Sequence, residues 1–346
     1  MNEIGKNLKR VRLLNNLSLR EAGKLLNMSA PAISKYEKGE LIPNSKKIIE
    51  FANAYNVKTI EFLKIYQVPQ MKFISVRKKQ KLKGKNLELL KQVIQEEVSK
   101  YLEVTEMNKI DSNSKLKRYK CNSLEDAELA ANNFRKYINI SNKQPISDLT
   151  NILENLGILI VYIKNKNNLF NDFDGLSEIV NNIPIIVLLD NIKDGARQRF
   201  TIAHELGHLL LDVNNIDEEK MCNRFSSSLL MPKEAMINEF GHYRTNISFY
   251  ELVALKNEYK VSYSALAYRL KDLNIITNNQ YKSLSIFINK KIGKNDPNPI
   301  TPERSYHFKR IVHKLESSEI ITLSKACELL GETINEYNNE DNNYRH

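Results

Sequence analysis

The sequence predicts an α+β fold, mostly helical, in which a basic N-terminal domain of five short helices precedes a larger domain with a small sheet and a helical C-terminal tail. Three observations predict it. Apolar residues recur at helical spacing through residues 3–64, as in Ile4, Leu8, Val11 and Leu14. Two apolar runs of strand length, ILIVYI at 158–163 and IPIIVLL at 183–189, stand between helical segments. After about residue 195 the helical period returns and continues to the end. No internal repeat is legible.

Each element has a local cause. Ser18 is placed to cap the segment LREAGKLLNM, and Ser29 to cap APAISKYEKG, which stops at Gly39. SKKIIEFANAYN starts after Pro43, and TIEFLKIY closes the first group of five. A connector follows, with Pro69, the basic run RKKQKLKGK, a long helix within NLELLKQVIQEEVSKYLEV and the polar tract MNKIDSNSKLKRYK. From residue 121 come a helix (SLEDAELAANNFRKY), the two strands with DGLSEIV before the second, and then helices. The expected divisions are 1–66, 67–120, 121–290 and 291–346.

Composition narrows the function classes. All of the net charge of +11 sits early, with 21 Lys and Arg against 9 Asp and Glu in residues 1–100, and 31 against 32 afterwards. A concentrated basic field points to a polyanion, first of all double-stranded DNA. No run of about 18 apolar residues is present, and MNEIGKNLKR lacks the apolar stretch of a signal peptide, so a cytoplasmic protein without a membrane partner is expected. Cys121, Cys222 and Cys327 are odd in number and lack paired metal spacing, so they read as free thiols. Any metal must then be held by His and carboxylate.

Ser18–Asn27 and Ser29–Lys38 are two helices joined by a turn at Asn27 and Met28, with Ile33 placed to lock the second onto the first. In that geometry the second helix lies in a major groove. LSLREAGKLLNMSAPAISKYEKGELIPN resembles the Xre/Cro-type helix-turn-helix family through Ser18, Glu21, Ser29, Ile33, Ser34, Glu37 and Gly39. It departs at Leu19 and Ala30, where that family often has glutamines that touch DNA. Candidate base-edge contacts are Ser29, Ala30, Pro31, Ala32 and Lys35, with Arg20 and Lys38 placed for phosphates.

The stretch AHELGHLLL carries the other motif. His204 and His208 lie one turn apart on one helix face, behind Asp194 as N-cap, and Glu205 stands beside them. Two imidazoles at i and i+4 can take adjacent corners of a zinc (Zn2+) tetrahedron, and the glutamate can accept a proton from water. A third ligand is needed. In IDEEKMCNRFSSSLLMP, Glu219, Cys222, Asn223, Ser226 and Leu230 form one stripe, and Glu219 on that inward stripe would need a positive partner. Asp212, Asp217 and Glu218 are its rivals. Asn223, one turn on, can orient a ligand by a hydrogen bond. Cys222 reads as a core thiol. Arg197 and Arg199 read as cap or core-edge cations, and His242, Tyr243, Tyr250 and Tyr263 are candidates for an oxyanion donor with none preferred.

RQRFTIAHELGHLLL followed by E-x-x-C-N-R-F-x-x-x-LLMP resembles the ImmA/IrrE family of zinc metallopeptidases over roughly residues 125–275. The resemblance implies a zincin-like domain, zinc on His204, His208 and Glu219, and Glu205 as general base. It also implies a substrate class, since that family cleaves or inactivates Xre-type repressors in phage, mobile-element and stress responses. The N-terminal helix-turn-helix and the helical tail at 296–341 are an arrangement found in such fusions. The expected function is a DNA-associated zinc endopeptidase acting on a repressor protein, with a homodimer as a further expected assembly. The competing class is a DNA-binding regulator whose metallopeptidase-like domain is a non-cleaving sensor or dimerisation module.

Overall fold

The computed structural model describes residues 3–64, 69–73, 84–108, 116–165, 168–214, 217–293, 296 and 298–343. Most of the basic run and half of the polar tract lie outside the described residues, as does Ile216. The chain divides into two compact units, 1–103 with 165–173, and 104–164 with 174–346.

The first unit opens with the five expected helices: α1 (Glu3–Leu14), α2 (Leu19–Leu26), α3 (Ala30–Lys38), α4 (Ser45–Ala54) and the single turn α5 (Ile60–Leu63). Leu8, Val11, Ala22, Ile33, Phe51, Ala52, Tyr55 and Phe62 form their shared core. Ser18 and Glu21 make a reciprocal capping box at the start of α2. Asn27 then takes the left-handed conformation that ends α2, and Ser29 Oγ accepts from Ala32 N to start α3. Gly23 makes this turn possible, because a Cβ there would lie 2.5 Å from the carbonyl oxygen of Met28. Arg12, buried, forks onto the Glu37 carboxylate at 2.5 and 2.9 Å, tying α1 to α3. The helix α6 (Gly84–Met107) belongs to this unit as far as Glu103.

The second unit contains β1 (Tyr119–Cys121), α7 (Leu124–Tyr137), α8 (Leu149–Asn155), β2 (Leu159–Ile163), β3 (Leu176–Val180), β4 (Ile183–Leu189), α9 (Gly195–Leu210), β5 (Leu211–Val213) and α10 (Glu218–Leu230). It continues with α11 (Lys233–Phe240), α12 (Phe249–Tyr259), α13 (Tyr263–Asp272), α14 (Asn278–Ile292), α15 (His307–Ser317), α16 (Leu323–Leu330) and α17 (Ile334–Asn343). The sheet runs β2-β4-β3, with β2 parallel and β3 antiparallel to β4. Every residue of β4 is buried, which is why its sequence is an unbroken apolar run. Along β3 the burial alternates less regularly and Ile179 is exposed, as suits an edge strand.

Three elements were not foreseen. Leu211–Val213 leaves the helix and pairs in parallel with Tyr119–Cys121, a three-residue ladder that neither sequence announces because each partner is too short to show a period. The helix α8 is only seven residues long, about two turns, too short to show a period in the sequence. The third is a repeat. Thr322, Leu323, Ala326, Leu330, Gly331, Thr333 and Tyr337 of α16 and α17 stand in the places of Ser18, Leu19, Ala22, Leu26, Asn27, Ser29 and Ile33, all at one constant offset. Both first helices have eight residues and a left-handed C-cap. Ala22 with Ala326, and Ile33 with Tyr337, are buried. The sequence conceals this because only the apolar and capping positions agree. Residues 307–343 also hold seven acidic against four basic side chains, unlike the basic first unit.

Candidate functional site

The active-site candidate is built on two crossing helices. Asp194 Oδ1 accepts from Ala196 N and starts α9. Its buried face includes Ala203, Leu206, Gly207 and Leu210, which leaves His204 and His208 together on the flank. Gly207 sets the separation from α10, since a Cβ there would lie 3.2 Å from Cα, Cβ and Sγ of Cys222. Cys222 is therefore a packing group of the helix crossing, fully buried.

The two imidazole rings stand 5.0 Å apart. His204 Nε2 lies 3.3 Å from Glu219 Oε2, and His208 Nε2 lies 3.5 Å from Glu219 Oε1. On the far side of each ring, Nδ1 meets an acceptor: Asn223 Oδ1 at 3.0 Å for His204, and Glu218 Oε1 at 3.0 Å for His208. In the tautomer that donates from Nδ1 to these acceptors, two Nε2 lone pairs and a carboxylate converge. Three acceptors brought together in this way fit a cation. One ligand atom from each of His204, His208 and Glu219 falls within 4.8 Å of the others, and among the described residues this is the only such group. The set of two nitrogens and one carboxylate suits zinc with a corner left for water.

The histidine side chains are 12% and 11% exposed, whereas Glu219 is 43% exposed. The expectation that Glu219 is an inward acid is corrected here. It sits at the rim, where water relieves its charge, so burial cost is not what demands a cation; the converging lone pairs are. Of the rivals, Asp217 caps α10 through Glu219 N and Lys220 N, Asp212 lies in the β1–β5 ladder opposite Lys120, and Glu218 sits on the Nδ1 side of His208.

Glu205 meets the edge strand β3. It is 2% exposed, and its Oε2 accepts from Ser177 Oγ of β3 at 2.7 Å. Gly175 keeps that approach open, since a Cβ there would come within 3.2 Å of Glu205 Cγ. The edge strand β3 thus runs beside the residue next to His204. Sequence reasoning missed Ser177 because nothing in LSEIV marks one serine as facing the helix.

Arg199 is buried and pairs with Glu303, whose carboxylate also accepts from Leu149 N and Thr150 N at 3.1 and 2.8 Å. Gln198 and Glu303 exchange further hydrogen bonds, and Gly195 N donates to Ile300 O at 2.7 Å. The stretch 298–305 is thereby fastened across the start of α9, and Arg199 is a structural cation. Arg197 forms an exposed pair with Asp174. Of the four oxyanion candidates, Tyr263 is buried against Phe249 and Lys256, while His242, Tyr243 and Tyr250 are exposed.

In the first unit, Arg20, Ser29, Pro31, Lys35 and Lys38 are exposed, and Ala30 and Ala32 are partly so. All seven lie on α2, α3 or the turn between them. The Ser29 hydroxyl is already engaged as the cap of α3.

Residues 153–271 match a peptidase family through its IrrE N-terminal-like domain, and residues 8–62 match the helix-turn-helix family. The chain joins a helix-turn-helix domain to an IrrE-like domain. No curated protein matches it. The IrrE-like domain contains α9, α10 and the whole β2-β4-β3 sheet, so the His204, His208 and Glu219 cluster falls inside the matched residues. The match to a peptidase family implies a metal cofactor for this domain, and the match over residues 8–62 supports DNA binding by the helix-turn-helix domain. No helix among the described residues is long and apolar enough to cross a membrane.

Proposed function

We propose that the chain is a DNA-associated zinc endopeptidase of the cytoplasm that cuts or inactivates a transcriptional repressor. Residues 1–66 bind double-stranded DNA through Arg20, Ser29, Ala30, Pro31, Ala32, Lys35 and Lys38, and residues 121–290 carry the peptidase, with 67–120 as connector and 291–346 as a helical extension. The observation that carries this reading is the convergence of His204 Nε2, His208 Nε2 and the Glu219 carboxylate beside a buried Glu205. These three residues hold the zinc, and Asn223 orients His204.

When bound, zinc supplies a Lewis acid that acidifies water and polarises the scissile carbonyl. Glu205 takes the proton of the attacking water on its carboxylate and returns it to the leaving amine. Ser177 fixes one oxygen of that carboxylate, which limits the orientations the base samples. The substrate lies as an extended strand along the open edge of β3, where backbone pairing gives affinity with little demand on sequence. Tethering to DNA raises the local concentration of peptidase near an operator-bound repressor.

The test is direct. Purified full-length chain is expected to hold one zinc, lost in His204→Ala, and to cleave an Xre-type repressor encoded beside it. Cleavage that persists in Glu205→Gln would overturn the assignment of the base, and zinc uptake without cleavage of any such repressor would overturn the peptidase reading.

A further inference from the structure

The start of α10 reads Asp217, Glu218, Glu219, and the three consecutive acids have three different positions. Asp217 caps the helix, and Glu219 faces the Nε2 atoms of both histidines. Glu218 reaches the opposite side of the His208 ring, with Oε1 3.0 Å from Nδ1. The two rings are thus held by unlike partners, a carboxamide from Asn223 on His204 and a carboxylate from Glu218 on His208.

That difference has chemical content. A hydrogen bond to an ionised acceptor is about twice as strong as one to a neutral acceptor. Engaging Nδ1–H also selects the tautomer in which Nε2 keeps its lone pair, and it makes that nitrogen a better donor to a metal. An Nδ1 contact excludes Glu218 from the ligand set while keeping its charge one imidazole away.

We propose that Glu218 is a positioning residue of the metal centre: it locks His208 with Nε2 toward the cation and contributes negative charge that tightens metal binding. This rests on the zinc reading above. Such partners affect metal affinity by about 10- to 100-fold; Glu218 is 46% exposed, so water screens it and the lower end applies.

The experiment measures zinc affinity of the full-length chain by competition with a chromophoric chelator, for wild type, Glu218→Ala, Glu218→Gln and Asn223→Ala. Thermal melts of the metal-free proteins serve as the control for folding. Glu218→Ala is expected to weaken zinc about tenfold with the metal-free melt unchanged, and Glu218→Gln, which keeps an acceptor oxygen but no charge, is expected to fall between it and wild type. Nitrogen-15 spectra of the zinc-loaded protein are expected to show His208 protonated at Nδ1 in wild type. Zinc binding within about twofold of wild type in Glu218→Ala overturns the proposal; if that variant does not fold, Glu218→Gln decides by the same threshold. A wild-type chain that takes up no zinc overturns the metal reading itself, and the proposal with it, and that result is distinct from equal affinities in wild type and variants.

Discussion

Replacing Glu128 by alanine removes the centre of a buried charge network that holds α10 in place. Glu128 on α7 meets Arg269 of α13 at 2.5 and 2.9 Å, Ser228 of α10 at 2.8 Å and Arg224 of α10 at 3.4 Å. Arg269 is fully buried. Removing one partner of such a pair leaves an uncompensated buried charge and costs about 3–5 kcal/mol. Asp272 stands 3.5 Å from Arg269 and takes over part of the compensation, so the low end, about 3 kcal/mol, is expected. For a unit of this size that corresponds to a fall in Tm of roughly 6–12 °C.

The assay is urea and thermal unfolding of the full-length chain at several pH values. Burial works to raise the Glu128 carboxyl, and the hydrogen bond and charge of Arg269, with Ser228 and Arg224, outweigh it, so the net shift is downward from the ordinary 4.5. A carboxyl lowered in the folded state stabilises the fold above its unfolded value and loses that contribution as pH falls through the folded value. The wild-type advantage over Glu128→Ala is therefore expected to be full at neutral pH and to shrink below about pH 4.5. Replacing Glu128 and Arg269 together by Leu and Met is expected to be far less damaging than Glu128→Ala alone. A loss below about 1 kcal/mol in Glu128→Ala at pH 7, or no shrinkage in acid, would refute the reasoning.

Three further outcomes are expected. Gly207→Ala gains about 1 kcal/mol of helix propensity but pushes a methyl against Cys222, so a net loss of up to about 2 kcal/mol with weaker zinc binding is expected; unchanged melting and zinc affinity would show that the helix crossing has slack. Burial pushes the Glu154 carboxyl up to about 7, against the hydrogen bond from Ser305. A raised carboxyl costs stability as pH climbs from 4.5 to about 7, so Glu154→Gln is expected to gain on wild type in melts at pH 8 compared with pH 5, and parallel curves would contradict that. Lys38→Ala is expected to lower DNA affinity and to reduce the slope of log affinity against log salt by about one, read by fragment retardation at several salt concentrations; an unchanged slope would remove Lys38 from the phosphate contacts.

Much of this protein is written locally. Ser18, Asn27, Ser29 and Gly39 mark the ends of α2 and α3 because caps and left-handed residues act within one turn of themselves. Likewise the i, i+4 spacing of His204 and His208 places both rings on one face without help from the rest of the chain. The unbroken apolar run of β4 announced a strand, and its central place in the sheet came only from the structure. The tertiary structure alone decided which partners those residues meet. Asp217, Glu218 and Glu219 are near-equivalent acids in the sequence, and only the approach of α10 to α9, set by Gly207 against Cys222, gives one of them to the cap, one to Nδ1 and one to Nε2. Ser177 on Glu205, Glu303 on Arg199 and the β1–β5 ladder are contacts between segments 28 to 104 residues apart. No periodicity encodes such pairs, because side-chain pairing across the fold depends on where whole helices and strands come to rest.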